Sequence, residues 1–313
     1  MSATAPTEWT VTDMGDLTGR VAVITGASAG IGCATAAALA GNGATVVLAC
    51  RDVVKGQAAV ARIAQEGVDR ESLSVVALDL TSPASVQAAS TQILSSTSRV
   101  DLLVNNAGVM AIPFALSADG VEVTFATNHL GHFALTGRLL PRMLATPSSR
   151  VITISSNAHR RARPRWDLEA MWGEYDSGAA YDHSKLANLL FAFELHRRLR
   201  AAGSSTVSVA AHPGNARTGL WRTSSWPERA LVGSRLRRLT GMLVQSPQDG
   251  ALPTLRAATD PRVGGGEYFG PGGRFGFTGA PVLVQASDAA HDATAQRRLW
   301  ERSEQLSGVT YEL

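Results

Sequence analysis

Val21–Thr25 is a short β-branched run that leads into Gly26-Ala27-Ser28-Ala29-Gly30-Ile31-Gly32 and then into an Ala-rich stretch of helical character. No other feature narrows the choice of fold as much. A strand that turns on glycines into a helix gathers backbone N–H groups and the positive end of a helix dipole at one point, where an anion binds. Glycine is required there because a side chain would keep a pyrophosphate off the backbone. The spacing is Gly-x3-Gly-x-Gly rather than the commoner Gly-x-Gly-x2-Gly, but the strand–turn–helix setting is that of a dinucleotide-binding turn.

The remaining chain repeats the alternation. Strands are expected at Thr45–Ala49, Ser74–Leu78, Leu102–Asn105, Val151–Ser155 and Val207–Ala211, with helices at Ile31–Ala40, Val53–Gln65, Ser85–Ser95 and Phe125–Leu144. Continuous apolar strands alternating with helices imply a doubly wound α/β fold, a parallel sheet covered on both faces. With 313 residues, 45% of them hydrophobic, the chain can bury one large core, and no repeat or linker divides it. Residues 1–18 read as a loose polar tail and 19–305 as a single domain. Two stretches break the rhythm, 157–179 and 215–245. Each leaves the carboxyl end of a strand, where open α/β sheets bind ligands. Trp166, Met171, Trp172 and Tyr175 in the first, and Leu220, Trp221, Trp226, Leu231, Met242 and Leu243 in the second, either pack these loops down or meet a substrate.

The formal charge is only +3. The densest basic run, His159-Arg160-Arg161-Ala162-Arg163-Pro164-Arg165, lacks the aromatic interleaving and binding fold of a nucleic-acid site. It reads as a solvated loop or as a basic rim that attracts an anionic ligand. Cys33 and Cys50, the only cysteines, read as small core hydrophobes in a reducing compartment. Residues 1–16 have neither the basic start nor the apolar run of a signal peptide, and no stretch approaches the ~18 apolar residues of a membrane span. A cytoplasmic protein is expected. His129 and His132 have i, i+3 spacing, but no carboxylate or cysteine set completes a metal site, so they read as ordinary helix histidines and no metal is expected.

The residue closing the second strand meets the adenosine ribose in such a fold. An acid there suits a free 2′-hydroxyl, and an arginine suits a 2′-phosphate. Here that residue is Arg51, whose planar fork matches phosphate, while Asp52 reads as the cap of the next helix. NADP(H) is therefore expected over NAD(H).

Tyr181 and Lys185 stand one turn apart, on one face of an expected helix from Tyr181 to Arg200. A carbonyl that accepts hydride becomes an alkoxide and needs a proton donor. A phenol with pKa ~10 is a poor base at neutral pH unless a nearby ammonium favours the phenolate. Tyr181 thus reads as acid/base and Lys185 as its tuner. Tyr175 has no lysine four residues on and reads as a decoy. The apolar positions Leu186, Leu190, Phe193 and Leu199 would bury against the sheet or against a second subunit, so a homo-oligomer stays open.

The glycine turn also spells Gly26-Ala27-Ser28-Ala29-Gly30, the Gly-x-Ser-x-Gly elbow of an α/β-hydrolase, with Asp260 and His291 following in hydrolase order. That elbow tops a central strand preceded by several others. Here only one strand fits before Ser28, no His-Gly-Gly segment precedes it, and Tyr181 and Lys185 would be left without a role.

Taken together, the TGASAGIG turn at 25–32, Asp79-Leu80, Asn105-Asn106-Ala107-Gly108, Asn128, Ser155-Ser156, Tyr181-x3-Lys185 and Pro213-Gly214 with Thr218 resemble the short-chain dehydrogenase/reductase family over nearly the whole chain. The wording of Asn128–Phe133, Ser184–Asn188 and His212-Pro213-Gly214 resembles its branch of retinol dehydrogenases, WW-domain oxidoreductase and protochlorophyllide reductases. The resemblance implies a single-domain Rossmann fold with Asn128, Ser156, Tyr181 and Lys185 as the catalytic set. It gives Ser156, rather than Ser155, the task of holding the substrate oxygen, and gives Asn128 a water that relays protons from Lys185. It further implies that Gly26, Ser28, Gly30, Ile31, Gly32, Arg51, Asp79, Leu80, Asn106, Ala107, Gly108, Tyr181, Lys185, Pro213, Gly214 and Thr218 contact the dinucleotide. One departure is the 24 residues between Ser156 and Tyr181, longer than the family's commonest spacing but similar to insertions in that branch. The expected function is NADPH-linked interconversion of a carbonyl and an alcohol on a small, lipophilic molecule. The alternative is a cofactor-binding regulatory or scaffold protein without turnover.

Overall fold

The computed structural model describes residues 8–164, 175–215 and 245–313. Among them, eight strands form one sheet: β1 (Val21–Thr25), β2 (Thr45–Cys50), β3 (Leu73–Ala77), β4 (Leu102–Asn105), β5 (Arg150–Ile154), β6 (Val207–Ala211), β7 (Tyr268–Pro271) and β8 (Pro281–Leu283). Their order is β3-β2-β1-β4-β5-β6-β7-β8. All neighbours are parallel except β7 and β8. The helices are α1 (Gly30–Gly41), α2 (Val53–Gln65), α3 (Pro83–Ser96), α4 (Val123–Phe125), α5 (Gly131–Leu144), α6 (Ser177–Ala201), α7 (Pro247–Thr259), α8 (Asp288–His291) and α9 (Ala293–Ser307).

Alternation of side chains along each strand builds two core layers. Ala22, Ile24, Val46, Leu48, Leu102 and Val104 pack with Leu39 of α1, Val60 of α2 and Leu255 of α7. Val23, Val47, Ala49 and Leu103 pack with Ile93 of α3, Leu139 of α5 and Phe191 of α6. Burial on both faces explains why these strands read as unbroken apolar runs. The six expected strands are present, each within a residue of its expected bounds. Strands β7 and β8 carry no readable strand pattern, because Tyr268-Phe269-Gly270-Pro271 holds both glycine and proline and β8 is only three residues long; such residues sit at sheet margins.

The expected tail over 1–18 is corrected where it is described. Trp9, Met14 and Leu17 are 5%, 4% and 2% exposed and belong to the core layer of α1 and α7. Three apolar residues spaced through a polar stretch carry no helix or strand period, so pattern alone missed them. The domain likewise continues past 305. The Tyr311 hydroxyl donates to the Phe133 carbonyl at 2.7 Å, and its ring packs on Trp300 at 4.5 Å. The expected helix Phe125–Leu144 is interrupted by a π-turn at Ala126–Leu130, where the Gly131 N–H donates to the Ala126 carbonyl five residues back. Leu186, Leu190, Phe193 and Leu199 of α6 are all buried within this chain, packed with β-strands and with α8 and α9. No helix among the described residues is long and apolar enough to cross a membrane.

Trp9 gives a direct check on the corrected N-terminus. Trp9→Ala should cost about 3–5 kcal/mol in denaturant unfolding, as for other buried tryptophans; a change below about 0.5 kcal/mol would mean that the segment adds nothing to the core.

Candidate active site

The order β3-β2-β1-β4 makes the β1/β4 boundary the point at which connections diverge to opposite sides, and a crevice opens there at the strand carboxyl ends. The turn after β1 forms its floor. Gly26 and Gly30 have φ of +67° and +58°, where L side chains are strained. A Cβ on Gly32 would stand 2.4 Å from Asn106 Nδ2 and 2.7 Å from the Gly26 carbonyl. Thr25 ties this turn to the one after β4: its hydroxyl accepts the N–H groups of Asn106 and Ala107, both at 2.9 Å, and its carbonyl accepts Asn106 Nδ2 at 2.8 Å. Helix α1 has Ala29 at its N-cap position and so no side-chain cap. Asp52, Ser82, Asp176 and Ser246 cap α2, α3, α6 and α7 with their own side chains. Free N–H donors over a floor that tolerates no Cβ fit a pyrophosphate.

The cleft has a volume of about 430 Å³ and is lined by Gly26, Ser28, Gly30, Ile31, Gly32, Arg51, Asp79, Leu80, Asn106, Ala107, Gly108, Tyr181, Lys185 and Pro213. At one end Arg51 is exposed directly after β2. Asp52 accepts the Lys55 N–H at 3.0 Å and pairs with the Lys55 ammonium at 2.7 Å, which makes it the cap of α2. Lys55 also lines this end and was missed by the sequence reading, although an i+4 cation after Arg51 was visible. The Asp79 carboxylate holds Thr81 through its N–H at 2.9 Å and hydroxyl at 2.7 Å.

Tyr181 and Lys185 lie at the other end. Lys185 is 4% exposed, and its Nζ donates to the Ile154 carbonyl at 3.2 Å and stands 5.5 Å from the centre of the Tyr181 ring. Burial pushes Tyr181 above its ordinary range, against a hydrogen bond from Ser156, and pushes Lys185 down to about 8. Burial is the largest influence on the phenol and acts opposite to the lowering expected from Lys185.

Ser155 and Ser156 divide their work. The Ser155 hydroxyl donates to the Lys185 carbonyl at 2.8 Å and is buried, whereas the Ser156 hydroxyl meets both Tyr181 and the Ala158 N–H. Asn128 lies in the π-turn, fully buried. Its Oδ1 accepts the Val109 N–H at 2.7 Å, and its Nδ2 donates to the Val109 carbonyl and Ser184 Oγ, both at 2.9 Å. A Cβ on Gly108 would lie 3.3 Å from Asn128 Oδ1 and 3.5 Å from Lys185 Nζ, so these groups converge behind Gly108. Gly214 packs under Phe277 rather than along the cleft; a Cβ there would stand 2.3 Å from the Phe277 carbonyl. Thr218 and the apolar residues from Leu220 to Leu243 lie outside the described residues, as do Arg165, Trp166, Met171 and Trp172. Tyr175 bonds to Glu122 at 3.2 Å and packs on Phe114, away from any lysine partnership.

The reading of the basic run changes. His159 is not part of a solvated basic loop: it is fully buried, its Nδ1 bonds to the Ser156 carbonyl at 2.6 Å, and burial pushes it down to about 4. Arg161 in the same run is paired with Asp182 at 2.5 Å. The hydrolase triad does not assemble. Arg262 and Arg256 hold the Asp260 carboxylate, pushing it down to about 2, and His291 stacks on Phe193 with ring centres 4.9 Å apart. His129 bonds to Ser303 at 2.9 Å and His132 to Thr25 and Asn128.

The Gly32 contacts set a test of the floor. Gly32→Ala should weaken binding of the reduced nicotinamide dinucleotide by about tenfold or more (about 1.4 kcal/mol) in a fluorescence titration while the protein stays folded; unchanged affinity would mean that the dinucleotide does not use this turn.

A profile of the short chain dehydrogenase family matches residues 20–228. Retinol dehydrogenase 11 of Homo sapiens is 38% identical over 297 residues, covering 94% of this chain and 87% of that protein. A crystal structure of an uncharacterized protein from Mycobacterium paratuberculosis is 40% identical with a TM-score of 0.80, covering 98% of this chain and all of that one. A structure from Beutenbergia cavernae, described as an NAD(P) dependent gluconate 5-dehydrogenase with bound NADP at low occupancy, is 27% identical with a TM-score of 0.63 over 81% of this chain and 95% of that one. With the glycine turn, the Asn106–Gly108 turn and the Tyr181/Lys185 pair around one cleft, this chain belongs to the short-chain dehydrogenase/reductase family, in the branch of the retinol dehydrogenases, and its chemistry is carbonyl/alcohol oxidoreduction.

Proposed function

We propose that the protein is an NADP(H)-dependent reductase of lipophilic aldehydes or ketones, with Tyr181 as general acid. One observation carries the reading: Tyr181 and Lys185 line the same cleft as the glycine turn. A dinucleotide bound by that turn supplies or accepts the hydride. In the reductive direction the Ser156 hydroxyl holds the carbonyl oxygen next to the phenol, and Tyr181 gives its proton to that oxygen. Lys185 stabilises the phenolate left behind, and Asn128 supports Lys185 from behind Gly108. Because burial raises the phenol, it is protonated at neutral pH, which suits reduction. Oxidation needs the phenolate to accept the alcohol proton and is favoured only as the pH rises.

Arg51 and Lys55 support a preference for the 2′-phosphorylated dinucleotide, since Asp52 is engaged as the α2 cap and by Lys55. The NADP in the Beutenbergia cavernae structure agrees with this. A lipophilic substrate is supported by Val109, Met110 and Ile112, which line the cleft beyond Gly108, and by the retinol dehydrogenase relative.

Tyr181→Phe should keep NADPH affinity and lower kcat for aldehyde reduction by about 10²–10⁴-fold; full turnover in that variant would end the acid assignment. Arg51→Asp should raise KM for NADPH about tenfold or more while leaving NADH use intact or improved, because the guanidinium fork is lost and an acid replaces it. Equal kinetics with both cofactors before and after would count against Arg51. Lys185 is charged below its lowered value and neutral above it, so kcat/KM for reduction should hold at neutral pH and fall as pH rises through about 8. A profile level across that range would mean that the ammonium does not act.

A further inference from the structure

His132, at the start of α5, touches both halves of the cleft. It is 1% exposed, with Nδ1 3.0 Å from the Asn128 carbonyl and Nε2 2.8 Å from Thr25 Oγ1. These contacts fix every proton. A carbonyl only accepts, so Nδ1 carries hydrogen. Thr25 Oγ1 already accepts the N–H groups of Asn106 and Ala107, each at 2.9 Å, which fills both lone pairs. Its own proton must then go to Nε2, the alternative acceptor being the Val104 carbonyl at a poor 3.4 Å. The network therefore admits one form of the ring, neutral and protonated on Nδ1. A cationic ring would press a second N–H against an oxygen with no lone pair left. Among the charged and titratable groups around it, the buried Lys185 ammonium opposes a second positive charge, and neighbouring His129 is itself held neutral by burial.

We propose that His132 is a positioning residue that couples the dinucleotide turn to the proton-handling side of the site. Through Nε2 it fixes the Thr25 hydroxyl that clamps the Asn106–Ala107 turn, and through Nδ1 it fixes the Asn128 carbonyl in the π-turn behind Lys185. The spacing between the two halves is then set by one rigid neutral ring. The kinetic part of this inference rests on the reductase reading above; the ring's protonation form does not.

Two variants separate positioning from packing. His132→Asn keeps a donor for the Asn128 carbonyl, whereas His132→Phe keeps the bulk and apolar fit but offers neither donor nor acceptor. Positioning predicts that Phe lowers kcat by about 10²-fold, a displacement-sized effect, and that Asn recovers at least about tenfold of it, with KM for the carbonyl substrate changing far less than kcat. A filler role predicts the reverse order, with Phe close to wild type; that order in folded protein would overturn the proposal. Nitrogen NMR of histidine-labelled wild-type protein supplies a reading free of turnover and of variant folding. His132 should show a protonated Nδ1 and an unprotonated Nε2, unchanged through the range near 6.5 where an ordinary imidazole charges. A ring that titrates there, or one protonated on Nε2, refutes the coupling even if reductase activity is present. The expected NMR form together with no carbonyl turnover would refute the reductase reading and leave the coupling standing.

Discussion

The clamp between the turns after β1 and β4 is the contact on which the site depends. Gly32 and Gly26 leave no room for a Cβ against Asn106 and Ala107, and Thr25 binds the same two residues through its hydroxyl and carbonyl. This brings two turns that leave adjacent strands in opposite senses to within van der Waals contact. The uncapped start of α1 is thereby fixed to the Asn106–Ala107 turn, and the next residue, Gly108, sits against Asn128 and Lys185. A looser joint would still give a doubly wound sheet, but the anion-binding end and the proton-donating end would lack a fixed separation.

Burial sets the electrostatics of that second end. It raises the Tyr181 phenol and lowers the Lys185 ammonium, so both groups are pushed toward their neutral forms. The Ile154 carbonyl accepts from the ammonium, and the Ser156 hydrogen bond opposes burial by favouring the phenolate. In the proposed reductase, a protonated phenol beside a lysine charged at neutral pH would serve as the proton donor. Buried neutral histidines serve as structural hydrogen-bonding rings around it: His159 behind Ser156, and His132 behind Asn128.

Much of this could be read in the sequence, for physical reasons that differ by residue. The six central strands were legible because burial on both faces makes their apolar runs continuous. The glycine turn was legible because close backbone approach excludes every other residue at Gly32. Asp52 was rightly read as a cap, since its side chain accepts the Lys55 N–H. Features that depend on tertiary contact were not legible. Trp9 and Tyr311 join the core from segments without period. The π-turn at Asn128 shifts hydrogen bonding by one residue within an otherwise regular helical pattern. His159 looked like the first member of a solvated basic run, yet its ring is buried against the Ser156 carbonyl. Sequence spacing places Lys185 near Tyr181 but gives no measure of the desolvation that raises the phenol.

A crystal structure of the protein with NADPH would test the central claim most directly. The account predicts the pyrophosphate at the start of α1 over Gly30 and Gly32, the 2′-phosphate at Arg51, and the nicotinamide ring beside the Tyr181 hydroxyl. A dinucleotide bound with its nicotinamide away from Tyr181, or at another edge of the sheet, would contradict it.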